Sequence, residues 1–473
     1  MELKQDIADW LDEHQIRFTR MSDEIWKNPE LLYREFKASK LQADFLEPEG
    51  FRITWDLGGI STAFVAEWGE GGPVVAFAGE YDALPGLSQK MQARPEPIVE
   101  NEAGHGCGHN LLGTGCLGAA VAFKEWLGWT GQSATVRYYG CPAEEGGSGK
   151  VFMGRAGAFD DIDVTFNWHP GYINYASKGS LLGVNRFRFR FTGQTAHAAL
   201  DPHTGRSALD AVELMNVGVN YLREHVTDDV RIHYVITNGG LTPNVVPGKA
   251  ESHYYVRAHH PDTLVDVSNR VRKVAQGAAL MTETELEEIF VAGTASLLSN
   301  EILADVQYEV MQQLGPIHFT AEEQAYAAEI NEHFPADNKL FLTRFLGVDP
   351  QAADQALIGD VFPSLDKGKV FPASSDMGDM SWLTPVSMLN CSTWATRAAA
   401  HSWGAVATGS TSIGHKGMMY AAKVMALAAA ELISSPGKLA LARAEFEANI
   451  ARTPYDCSIP DEVRPPQYEH PLR

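Results

Sequence analysis

Residues 74–86 read VVAFAGEYDALPG, an apolar run that ends in two carboxylates, Glu80 and Asp82. A strand without polar alternation is buried on both faces, the condition of a central strand in a parallel sheet covered by helices. The turn GEGGP (69–73) precedes the run, and a strand-like stretch from Thr62 to Glu67 precedes the turn. Earlier still lie two amphipathic segments, Glu2 to Trp26 and Glu35 to Leu46, spaced as helices. Beyond the run come the helical stretch NLLGTGCLGAAVAFKEWLGW (110–129), the strand ATVRYYG (134–140), a glycine-rich turn with a short helix, and the strand DVTFNW (163–168). This alternation predicts an α/β fold, a doubly wound and mostly parallel sheet flanked by helices.

The pattern changes near Gly179. LLGVNRFRFRFTG (181–193) alternates with period two, Phe187, Phe189 and Phe191 on one face and Arg186, Arg188 and Arg190 on the other, so one face is exposed. The helix 205–225, the strands 231–240 and 249–258, the helix 261–281 and the strand 283–291 follow. The order β-α-β-β-α-β is ferredoxin-like. Helical patterns resume after Ser299, and the last long apolar helix, through HKGMMYAAKVMALAAAELI, is expected to pack back on the first part. The chain therefore reads as a discontinuous domain, 1–180 with 292–473, carrying an inserted domain at 181–291.

With 45% apolar and 21% charged residues, the 473-residue chain is of the globular class. Its formal charge of −22 and the absence of a basic tract argue against nucleic acid or an anionic membrane as partner. MELKQDIADWLDEH lacks the apolar core of a signal peptide, and the apolar stretch 418–433 is short for a bilayer, so a cytoplasmic location is expected. Five widely spaced cysteines point to reduced thiols rather than a disulfide framework.

Ligand-type residues gather where active sites of open α/β sheets form, at the carboxyl ends of strands. VVAFAG leads to Glu80 and Asp82, ATVRYYG to Cys141, Glu144 and Glu145, and DVTFNW to His169. AGHGCGHNLLGTG (103–115) adds Cys107 and His109, which one intervening glycine can aim at a single ion only from an irregular turn. Taken singly, each has a plain structural reading: an incidental thiol in a turn, a solvated acidic pair, a buried hydrogen-bonded His169, a helix-capping His415. HGCGH lacks the glutamate of HExxH, and EEGGSGK lacks the spacing and the final Ser or Thr of a phosphate loop. Cysteine, histidines and glutamate together suit Zn²⁺ or Mn²⁺ and not Ca²⁺.

Several further motifs carry a resemblance: GEYDALPGLSQ (79–89), NEAGHGCGHNLLGTG (101–115), YGCPAEEGGSGK (139–150), WHP (168–170), AHAALDPHTGRSALDAVELMN (196–216), TPNVVPGKAE (242–251), SSDMGDMSW (374–382) and TSIGHKGM (411–418). Over nearly its whole length the chain resembles the dinuclear metallopeptidases and amidohydrolases that include aminoacylases, hippurate hydrolases and indoleacetyl-amino-acid hydrolases, above all their aminobenzoyl-glutamate branch. The resemblance implies a zinc-peptidase-like catalytic domain, an inserted dimerisation or lid domain, and two divalent ions per chain, with Mn²⁺ favoured and Zn²⁺ the alternative. It implies metal ligands Cys107, His109, Glu145, His169 and His415, with Glu144 as general base. His197 corresponds to a histidine that reaches a neighbouring subunit's site, and Asn244 and Arg257 to a pair that holds a substrate carboxylate. The implied reaction is hydrolysis of an N-acyl, N-aroyl in particular, amino acid with a free carboxylate, such as 4-aminobenzoyl-glutamate. The implied assembly is a homodimer or a heteromer with a related subunit.

Two positions depart from the family. Asn110 stands where many members carry aspartate, although the aminobenzoyl-glutamate branch shares the asparagine, and CSTWATRAAAHSW (391–403) resembles that branch less than its surroundings do. Rival readings are a dipeptidase or aminopeptidase on the same metal centre, and a non-catalytic metal- or ligand-binding subunit.

Overall fold

The computed structural model describes residues 2–473. Its strands are β1 (Arg52–Trp55), β2 (Phe64–Trp68), β3 (Val74–Glu80), β4 (Thr135–Cys141), β5 (Val164–Gly171), β6 (Tyr175–Ser177), β7 (Ser180–Leu181), β8 (Gly183–Thr192), β9 (Arg231–Asn238), β10 (Lys249–Ala258), β11 (Glu285–Thr294), β12 (Val370–Phe371) and β13 (Val386–Ser392). Seven form one sheet in the order β1-β2-β4-β3-β5-β13-β6. The four central strands β4, β3, β5 and β13 are parallel, and the outer strands join antiparallel. The sheet is thus less uniformly parallel than the sequence suggests. β1 has only four residues and alternates between exposed and half-buried positions, as an antiparallel edge can while a helix-covered parallel strand cannot.

VVAFAG lies in the centre as β3, buried from Val75 onward. The helix His109–Thr130 is buried nearly all round, because the helices Glu2–Lys27 and Ser412–Ser434 cover the side turned from the sheet. On its sheet side the helix is bare at Gly113 and Gly115, where a Cβ would come within 2.3 Å of Glu80 O and 2.7 Å of Trp168 Nε1. The return of the late apolar helix onto the first part of the chain is as expected. Ser412–Ser434 is long and apolar enough to cross a membrane, and here most of it is packed inside the core.

The second sheet, β11-β8-β10-β9, is antiparallel throughout, and the helices Ala208–Leu222 and Pro261–Thr282 cover one face. Phe187, Phe189 and Phe191 point into that helical layer and are buried with Val212, Met215 and Val271. β11 continues to Thr294, past the expected boundary at 291, before Ala295 N donates to Asp379 Oδ2 at 2.8 Å in the larger domain. A short parallel tie, β7 with β12, closes the root of the insertion.

Candidate metal centre

The carboxyl ends of the parallel strands meet as the strand order requires. Glu80 of β3 pairs in register with Cys141 of β4, and His169 of β5 with Asn390 of β13. Cys107 and His109 are added by the turn before the helix His109–Thr130. Gly108 has φ of 76°, and a Cβ there would come within 2.9 Å of Pro170 Cγ. Only glycine takes that backbone easily, and its bareness lets the turn lie against the strand end that carries His169.

Each imidazole is held through Nδ1 and turns Nε2 toward the other donors. His109 Nδ1 donates to Asp82 Oδ1 at 2.9 Å, while its buried Nε2 makes no hydrogen bond. That Nε2 lies 3.3 Å from Glu80 Oε2 and 4.0 Å from both Glu144 Oε2 and Glu145 Oε1. His169 Nδ1 donates to Pro170 O at 2.7 Å, and its Nε2 lies 3.3 Å from Cys107 Sγ. Asp82 also accepts from Glu145 N at 2.9 Å, so one buried carboxylate sets both a histidine and the acidic turn. Ala143 and Ser148, both at φ of 60°, bracket that turn.

The donor atoms form three overlapping groups, each within 4.8 Å: Cys107 with His109 and His169, Cys107 with Glu145 and His401, and Glu80 with His109 and Glu144. Of the residues expected from sequence, Cys107, His109, Glu144, Glu145 and His169 come together. His415 does not. The helix Ser412–Ser434 begins just before it, and the His415 Nε2 contacts Asp23 Oδ1 at 2.9 Å. His401 stands beside the cluster instead, with Nε2 3.4 Å from Glu145 Oε2. His401 adopts φ of 57°, and its N donates to Gly106 O at 3.1 Å, fixing the loop against the cysteine turn. No spacing signal marks His401, since it lies in an irregular loop within residues 391–403, which resemble the aminobenzoyl-glutamate branch less than their surroundings do. Asn110 is no ligand either: its Nδ2 donates to Ser22 Oγ and Gly409 O. His105 is structural, with Nε2 3.2 Å from Ile25 O.

Negative charge dominates the centre. The buried Lys150 Nζ donates to Glu80 Oε1 at 2.6 Å and Asp376 Oδ1 at 2.5 Å, one ammonium facing carboxylates that include Asp82, Glu144 and Glu145 as well. Burial, then the charges of Glu80 and Glu145, drive the Glu144 carboxyl well above the usual range, and burial above all pushes Glu145 up to about 7. Burial likewise raises the Cys107 thiol. A buried cluster of this sign suits a bound cation, which would let these groups ionise. The bare Nε2 of His109, the unpaired Oε1 of Glu145 and the nearby thiol fit divalent metal.

A cavity of about 530 Å³ joins these donors to an aromatic wall of Tyr172, Phe341, Phe345, Phe371 and Trp394. The β8–β11 sheet meets its rim through Arg257, whose Nη1 donates to the lining Ser374 Oγ at 2.7 Å. His197 and Asn244 lie elsewhere on the inserted domain, exposed and adjacent, with His197 bridged to Val245 and Ala198 N donating to Asn244 O at 3.0 Å. They do not join the metal cluster of their own chain.

Residues 180–282 match the peptidase dimerisation domain of the M20 family. The chain is 41% identical to one component of the p-aminobenzoyl-glutamate hydrolase of Escherichia coli K12, over 98% of this chain and 99% of that protein. It is 32% identical to the Xaa-Arg dipeptidase of Mus musculus over 68% of this chain and 73% of that one. Among solved structures, a dinuclear metal binding peptidase of the M20 family from Bacillus subtilis superposes with a TM-score of 0.59 at 18% identity, covering 90% of this chain and 99% of that one.

Proposed function

The chain belongs to the M20 peptidase family and hydrolyses amide bonds, and we propose that its substrate is an N-acyl, specifically N-aroyl, amino acid with a free carboxylate, such as 4-aminobenzoyl-glutamate. The observation that carries this reading is one cavity with the donor cluster at one part of its wall and aromatic rings at another. An aroyl group stacks on such a wall with little entropy to lose. Arg257 at the rim offers a fork to the α-carboxylate, with Ser374 beside it.

Cys107, His109, Glu145, His169 and His401 would hold two divalent ions, Mn²⁺ or Zn²⁺, with Glu80 close by. Bound ions supply Lewis-acid charge to the amide carbonyl and acidify a water. The protein's part is orientation and proton transfer. Asp82 fixes the tautomer of His109 so that Nε2 faces the centre, as an outer carboxylate does for a metal-binding imidazole. Glu144, in the cavity wall, takes the proton of the attacking water and returns it to the departing amine.

The exposed His197 and Asn244 belong to the dimerisation-domain match, and in this reading they complete the site of a neighbouring copy or of a related subunit. The unpaired cysteines are consistent with a cytoplasmic protein. Dipeptide hydrolysis is the second reading, favoured by the likeness to the Xaa-Arg dipeptidase. A non-catalytic role is disfavoured by the retained Glu144 and donor set.

The test strips the protein of metal, reloads it separately with Mn²⁺ and Zn²⁺, and follows amino-acid release from N-benzoyl, N-acetyl and free dipeptide substrates. Release from N-benzoyl amino acids that requires reloading is expected. Turnover of free dipeptides alone would transfer the assignment to the second reading, and turnover that survives stripping would refute the metal requirement.

A further inference from the structure

The acidic turn that carries Glu144 and Glu145 is held by four side chains distant from it in sequence. Asp82 accepts from Glu145 N, and Arg186 Nη1 donates to Gly146 O. The other two holds come from a single loop, residues 30–35, just ahead of the helix Phe36–Leu46. Glu35 Oε1 accepts from Ala143 N at 2.9 Å, and Tyr33 Oη donates to Gly147 O. The same loop is tied to the segment leaving β3, where Ala83 N donates to Glu30 O at 2.8 Å.

Tyr33 and Glu35 are both buried, and neither lines the cavity. Glu35 is fixed at both oxygens: Oε1 also accepts from Tyr33 N at 2.8 Å, and Oε2 accepts from Thr62 Oγ1 at 2.9 Å. Tyr33 has φ of 65°, a backbone that a bulky residue adopts only at a cost. Its ring lies so close to the turn that a Cβ at Gly147 would come within 2.5 Å of Cε2. A buried carboxyl near Asp82 is costly too: burial, then the Asp82 charge, pushes Glu35 well above the usual range. Strain of this kind persists where the surroundings over-determine it, and here both residues end on the turn of Glu144 and Glu145.

We infer that Glu35 and Tyr33 are positioning residues for the hydrolysis, fixing the two ends of the acidic turn so that both glutamates point into the centre. The inference rests on the proposed function, which makes Glu144 the base and Glu145 a metal ligand. Within the turn, Gly147 N donates to Ala143 O at 3.0 Å, one internal bond for five residues. The outside holds on Ala143 N and Gly147 O therefore decide where the two carboxylates stand. What Ala143 N needs is an oxygen, charged or neutral, so the part played by Glu35 is geometric.

The test measures kcat, KM and metal affinity in Glu35→Ala, Glu35→Gln and Tyr33→Phe, on whichever amide substrate the wild-type protein turns over. At saturating metal, Glu35→Ala should lower kcat by about 10- to 100-fold with KM nearly unchanged, the scale on which a group displaced by about 1 Å loses rate. Metal titration, read without turnover, should show affinity weakened by about tenfold or more, because Glu145 moves with the turn. Glu35→Gln keeps an oxygen in the same place and should recover most of both losses. Tyr33→Phe keeps the ring and should lower kcat by about 2- to 10-fold, the worth of one neutral hydrogen bond. A Glu35→Ala protein that melts earlier yet retains wild-type kcat and metal affinity would make the residue structural alone and overturn the inference. A change confined to KM, or a Glu35→Gln protein as impaired as Glu35→Ala, would overturn it as well. Should Glu35→Ala fail to fold, Tyr33→Phe decides, and wild-type kcat with wild-type metal affinity in that protein refutes the clamp. The roles of the glutamates fail separately, through full activity in Glu144→Gln or full metal affinity in Glu145→Ala with the loop intact.

Discussion

The two sheets bring opposite charge to one cavity. The seven-stranded sheet ends in Glu80, leads into Glu144 and Glu145, and has Lys150 as a buried counter-ion, whereas the four-stranded sheet brings Arg186 and Arg257 toward the rim without a carboxylate. An uncompensated excess of either sign is costly in a protein interior, and a bound cation would offset the first. Local imbalance near a shared cavity is therefore more informative than the chain's net charge of −22, which by itself describes only the solvated surface.

The strongest way to break this contrast is to remove charge from the acidic side. Glu144→Gln is expected to cut kcat by about 10²- to 10⁴-fold, the usual worth of base assistance. Elemental analysis should find metal content unchanged. Full activity in the variant would remove Glu144 from its role, and loss of metal would make it a ligand.

A smaller effect separates two histidines that look alike in sequence. His401→Ala should weaken metal binding by at least about tenfold, while His415→Ala, which unseats a contact with Asp23, should leave it within error. Metal titration of the two proteins reads this directly, and the reverse result would return His415 to the centre.

The smallest expected effect lies where the two sheets join. Asp379 accepts from Ala295 N and from Tyr455 Oη, yet burial outweighs both bonds and pushes its carboxyl up to about 7. The folded protein then keeps a proton that the unfolded chain releases near 3.8, so stability conferred at low pH is lost as pH rises toward 7. Asp379→Asn should flatten that decline, measured as urea midpoints at the two ends of the window. An unchanged slope would show that Asp379 is ionised in the folded state.

Much of the architecture was legible because it is local. The apolar run of β3, the period-two Phe and Arg alternation of β8, and the β-α-β-β-α-β order each arise from residues close in sequence. The four-residue β1 and the two-residue tie of β7 to β12 were not legible, since such short pieces form only when a neighbouring strand offers hydrogen bonds. The same division runs through the centre. Glycine-flanked Cys107 and His109, the Glu144–Glu145 pair and His169 announce themselves by strand ends and turns, but His401 is one histidine in an irregular loop.

The sequence by itself determined which strands are buried, where they end, and that thiol, imidazole and carboxylate gather at those ends, because periodicity and turn chemistry are written within a few residues. Only the tertiary structure decided that His401 rather than His415 stands beside the donor cluster, and that Arg186 and Arg257 lie against one tyrosine ring. Both outcomes depend on loops and sheets distant in sequence meeting around one cavity, and local propensity carries no record of that meeting.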